Sequence, residues 1–181
     1  MEDQETPFKA GLNAGVILGI LSVVITFIVY FINPITLVSG MFGIIVLVVF
    51  FAVLIYLGIQ YRKSIGGFME FGSAFNFSFI ALIVAGLISQ VGNGLLYHVV
   101  DPALPGVLVE ESLENTMAMM EKFGAADAIS SDQLDEMRES TAANFTMMGQ
   151  IKTFGIALIV YAIISLILGA ILKKRDKSLD Y

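Results

Sequence analysis

The chain has 181 residues, of which 57% are hydrophobic and 14% charged, with no cysteine and one histidine. A soluble domain carries about 25% charged residues, so this composition excludes an ordinary water-soluble globule. The missing cysteines exclude disulfide scaffolds, thiolate nucleophiles and cysteine zinc sites, and a net charge of −6 argues against a nucleic-acid partner.

Apolar runs of about 20 residues, each long enough to cross a bilayer, predict four spans. The first is Ala10–Ile32. It follows an acidic leader, is too long for a signal-peptide core and lacks a small-x-small cleavage site, so it reads as a retained helix. Gly11, Gly15 and Gly19 recur every fourth residue, continued by Ser22 and Thr26. Such a stripe of small residues lets helix backbones approach closely, either within the chain or between copies in a homo-oligomer. Asn33-Pro34 then breaks the helix and predicts a tight hairpin into the second span, Ile35–Ile59.

Arg62 and Lys63 occupy the short link to the third span, Ser73–Tyr97. That span has a second small stripe, Ala81, Ala85 and Ser89, and carries the amides Asn76, Gln90 and Asn93. Amides at this depth bond to neighbouring helices or line a polar path. His98 follows Tyr97 at the boundary, where an aromatic and an imidazole serve as an interfacial anchor more readily than as a catalytic base.

The one sizeable polar region is Asp101–Gln150, with ten acidic residues against Lys122 and Arg138, a net charge of −8. Pro102 and Pro105 predict a non-helical exit as far as Gly106. Beyond it Val109, Leu113, Met117, Met120 and Phe123 recur at helical spacing between glutamates. Gly124-Ala125-Ala126 loosens the chain, and Ser130 with Gln133 predicts a capping box opening a second helix. That helix carries Leu134, Met137, Thr141, Phe145 and Met148 on one face. Nothing stronger than Gly149 interrupts it before the fourth span, Phe154–Leu172, which leaves open whether the two are separate or form one rod of roughly 60 Å over residues 131–172. The apolar faces either close on each other or present Val109, Leu113, Met117, Met120, Leu134 and Met137 to a partner.

A basic tail, residues 173–181, ends the chain with Lys173, Lys174, Arg175 and Lys177. With four spans this tail, Lys9 and the Arg62-Lys63 link share one side. The excess of Lys and Arg makes that side cytoplasmic and puts 101–150 outside.

No ionisable residue falls in the central part of any span, which disfavours proton relays and ion-coupled carriers. No phosphate loop, nucleophile elbow or metal-ligand pair is present, so no catalytic, cofactor or metal site is expected. The acidic residues Asp132, Asp135, Glu136 and Glu139 lack calcium-loop spacing.

The stretch Ser64-Ile65-Gly66-Gly67-Phe68-Met69-Glu70-Phe71-Gly72-Ser73-Ala74-Phe75, with Leu96-Tyr97-His98-Val99-Val100-Asp101-Pro102, resembles the bacterial inner-membrane family termed domain of unknown function 4199. The resemblance implies four spans, an acidic helical insertion before the last one, a lysine-rich end, a bacterial cytoplasmic membrane and a periplasmic 101–150. It carries no established activity.

The expectation is therefore an all-α polytopic membrane protein: a four-transmembrane-helix bundle, a single domain, with an extracytoplasmic helical insertion between helices 3 and 4. Its expected surroundings are the lipid bilayer and an envelope protein partner docked or scaffolded by the acidic helices, without enzymatic activity. The alternative is a small oligomeric channel or solute exporter lined by Asn76, Gln90 and Asn93.

Overall fold

A computed structural model describes residues 5–124 and 129–175. Ala125 and Ala126 of the expected breaker, and Lys177 of the basic tail, lie outside the described residues. The described chain is helical, without a β-strand. It forms α1 (Pro7–Ile32), α2 (Gly40–Ser64), α3 (Phe71–Leu95), α4 (Leu104–Lys122), α5 (Ser131–Phe145) and α6 (Met147–Leu172). Four of these helices, α1, α2, α3 with its continuation to Val100, and α6, are long and apolar enough to cross a membrane.

The span ends differ from the expected ones for local reasons. Asn33 is extended, at φ −161° and ψ 97°, as the residue before a proline must be, and Pro34–Val38 then forms a 3-10 turn. The second span therefore begins at Gly40 and runs to Ser64, beyond Ile59. It stops at Gly66 and Gly67, with φ of +99° and +88°. The Gly67 amide donates to the Arg62 carbonyl at 2.8 Å and the Gly66 amide to that of Lys63 at 3.4 Å, the paired bonds of a Schellman cap. Only glycine takes such dihedrals cheaply, so these two residues turn the chain back towards the membrane.

At the other end of α3 the residues Leu96–Val100 widen into a π-turn, closed by the Asp101 amide on the Leu96 carbonyl at 2.9 Å. The expected non-helical exit through Gly106 is corrected: α4 already starts at Leu104 and includes Pro105. A first-turn amide has no partner inside its own helix, so a proline there costs nothing. The alternative left open between one rod and two helices is resolved as two, because Thr146, at ψ 157°, separates α5 from α6. Its hydroxyl donates to the Ala143 carbonyl at 2.7 Å and accepts from the Gly149 amide at 3.0 Å, ending one helix and starting the next. A methyl group on Gly149 would strike the Ala143 carbonyl. The capping box at Ser130 and Gln133 is present in full.

The helices contribute to two compact units. The first takes the described residues of Met1–Ser22, Leu47–Ser89 and Gly155–Tyr181. Its core comprises Ala10, Ala14 and Leu18 of α1, Leu54 and Tyr61 of α2, Phe77 and Ala81 of α3, and Leu168 and Leu172 of α6. Tyr61 stacks on Phe77 with ring centroids 5.4 Å apart. The second takes Val23–Val46 and Gln90–Phe154. Its smaller core is Leu96, Leu104 and Leu108, surrounded by Phe27, Tyr30, Leu37, Val38, Tyr97 and Phe145. In water both units would be badly exposed: Ile20, Ile28, Ile44, Val48, Ile159 and Ile163 are each at least half uncovered. A hydrocarbon surrounding removes that cost, which is why these spans need no polar outer face.

Candidate functional site

The glycine stripe of α1 is taken up inside the first unit. A methyl on Gly11 would stand 2.7 Å from the Phe77 carbonyl oxygen, and one on Gly15 2.6 Å from the Val84 Cβ. One on Gly19 would stand 2.6 Å from the Ile88 Cβ. Real Cβ atoms do not approach that closely, so the backbone of α1 lies against α3 at Gly11 and Gly15, and Gly19 makes room for the Ile88 side chain. On α3, Ala81 and Ala85 are buried, and Ser89 is half-buried with its hydroxyl on the Ala85 carbonyl at 2.8 Å. This face of α1 is accordingly covered by α3 of the same chain.

The three amides do not share one environment. Asn76 belongs to the first unit and is exposed. Gln90 and Asn93 belong to the second and are half-buried. Gln90 donates to the Gln150 carbonyl at 2.6 Å, and the Gln150 amide in turn donates to the Phe145 carbonyl at 3.3 Å. His98 Nε2 lies 3.5 Å from that same Gln150 nitrogen. Thus Gln90 ties α3 to the backbone near the start of α6.

The acidic segment supplies the most built surface. Asp101 organises its entry. One carboxylate oxygen accepts the Ala103 and Leu104 amides at 3.2 and 3.1 Å, and the other accepts the Tyr30 hydroxyl at 3.2 Å. Sequence reasoning placed Asp101 only within a motif. Its side chain in fact holds the backbone leading into α4 and ties it to α1, and the signal was an Asp-Pro pair just ahead of an apolar helix. α4 packs on the 3-10 turn and on α5, and Arg138 pairs with Glu110 across the helix pair at 2.9 Å.

Of the six residues expected to meet a partner, Val109 and Leu113 do not lie on the surface. They are 5% and 6% exposed, because α4 turns that face inward. Met117, Met120, Leu134 and Met137 are half-buried. Met120 and Met137 line a hollow of 380 Å³ with Ile129, Gln133, Glu136 and Ser140. Its floor is thioether and aliphatic, and its rim carries carboxylate and amide. Beside it Met119 and Phe123 are largely exposed. Among the described residues no three His, Cys, Asp or Glu side chains group in a way that would hold a metal ion.

The basic residues gather in the first unit. The Arg62 guanidinium donates to the Leu172 carbonyl at 2.9 Å, closing the end of α6 where an unpaired carbonyl and the helix dipole favour a cation. Met69 and Lys174 exchange two backbone hydrogen bonds of 3.0 and 2.8 Å, and the Lys174 ammonium lies 5.6 Å from the centre of the Phe68 ring. The start of α1 joins them through the Tyr61 hydroxyl, which donates to the Glu5 carbonyl at 3.1 Å. The link after α2, the segment after α6 and the start of α1 are therefore neighbours.

An all-helical chain with four membrane-length apolar helices and an acidic helix pair before the last of them is a polytopic membrane protein. Residues 13–174 match the model of the family described as "Protein of unknown function (DUF4199)", and the chain belongs to that family. No curated protein and no solved structure matches it significantly.

Proposed function

We propose that this is a non-enzymatic inner-membrane protein of bacteria that docks or scaffolds an envelope partner through α4 and α5. The observation that carries the reading is the hollow of Met120 and Met137, an apolar floor inside a segment of net charge −8. Thioether side chains adapt to irregular apolar partners, and the surrounding carboxylates favour one that brings Lys or Arg. The topology supports it. A chain that crosses the bilayer four times carries the link between its third and fourth spans on the side opposite its ends. An excess of Lys and Arg at those ends makes that link periplasmic.

The test is photo-crosslinking from Met120 and Met137 in native membranes. The reading expects one recurrent partner protein whose capture falls in high salt, since exposed charges are screened within about 10 Å at 0.1 M. Crosslinks confined to α4 and α5 themselves would overturn it.

A further inference from the structure

The first unit contains a second hollow, of 350 Å³, between α1 and α2. Its lining is graded. Where α1 starts and α2 ends it is polar, with Glu5, Asn13, Gln60 and Ser64. Further along both helices it becomes apolar, with Ala14, Ile17 and Leu57, over a floor formed by Tyr61 and Phe77. Ile17 is half exposed on the hydrocarbon-facing side of α1, so the apolar half is open to lipid.

The hydrogen bonds already made at the polar end select the ligand. The Asn13 amide donates to the Glu5 carboxylate at 2.9 Å, and the Gln60 amide donates to the Tyr56 hydroxyl at 2.8 Å. The Tyr61 hydroxyl donates to the Glu5 carbonyl at 3.1 Å and the Ser64 hydroxyl to the Tyr61 carbonyl at 2.7 Å. The hydroxyl protons are engaged, and each amide already uses one N–H. What the polar half offers is mainly acceptors: a second carboxylate oxygen on Glu5 and the amide oxygens of Asn13 and Gln60. A ligand that suits this end is cationic and rich in N–H donors, and one that suits the other end is a hydrocarbon chain.

We propose that this hollow is a binding site for an aminophospholipid. Its primary ammonium sits against Glu5, Asn13 and Gln60, and one acyl chain runs past Ile17 and Leu57. The assignment is independent of any partner at α4 and α5.

Native mass spectrometry of the delipidated full-length protein, titrated with phosphatidylethanolamine, phosphatidylcholine and phosphatidylglycerol, tests it. Phosphatidylethanolamine is expected to bind tightest, since choline has no N–H to donate and glycerol no cation. Glu5→Gln keeps the bond to Asn13 but removes the charge, and is expected to weaken phosphatidylethanolamine by about fivefold while sparing phosphatidylglycerol. Ile17→Trp, on the exposed rim, is expected to weaken phosphatidylethanolamine by obstructing its chain. Equal binding of the three lipids to the wild type would overturn the proposal. So would unchanged phosphatidylethanolamine binding in Glu5→Gln. Should that variant fail to give a monodisperse protein, Gln60→Leu at an exposed position provides the same reading: unaltered lipid preference refutes the site.

Discussion

Asp101 joins two helices of the second unit through three side-chain hydrogen bonds. Its carboxylate accepts two amides at the start of α4 and the hydroxyl of Tyr30, 71 residues away in sequence. Asp101→Ala removes all three side-chain bonds, leaving the Leu104 amide only its backbone bond to the Asp101 carbonyl at 3.2 Å, so it should cost about 1 kcal/mol. Thermal unfolding in detergent will report this as a lowered midpoint, and Asp101→Asn, which keeps an acceptor for the amides, should recover part of it. The residue illustrates what was legible and what was not. An Asp-Pro pair announces a turn and a helix start in any sequence. Tyr30 as the third partner depends on how α1 returns past α4, which no local pattern records. The same holds for Val109 and Leu113, whose spacing identified an apolar face correctly but could not tell whether α4 turns it inward or outward.

At the scale of elements, the spans were readable because the bilayer demands about 20 apolar residues whatever the fold. Their ends were not, because single residues set them. Pro105 is harmless in a first turn, and Thr146 separates what periodicity alone would join. Thr146→Val keeps the shape but loses the hydroxyl that serves both helices, and a lost cap of this kind costs about 1 kcal/mol. The expected result is a lower midpoint in denaturing-detergent titrations followed by circular dichroism, restored in Thr146→Ser. A midpoint equal to the wild type would mean that Gly149 alone makes the break.

At the scale of the whole molecule, the absence of cysteine permits single-cysteine labelling without background. Ser131→Cys, exposed at the start of α5, should react with an impermeant maleimide added to intact cells, and Lys63→Cys should react only after the membrane is opened. The reverse pattern would invert the orientation. One further consequence comes from how the first unit is closed. Arg62 reaches the carbonyl of Leu172 across 110 residues of sequence, Met69 pairs with Lys174, and Gly169 lies against the Phe71 ring. Three spans are therefore made before the fourth exists, and during synthesis the faces of α2 and α3 that later receive it are occupied by acyl chains. The packing of the fourth span is then an exchange of lipid for helix, completed when Leu172 meets Arg62 and Lys174 meets Met69. Truncation within the last turn of α6 would arrest the protein before that exchange is finished.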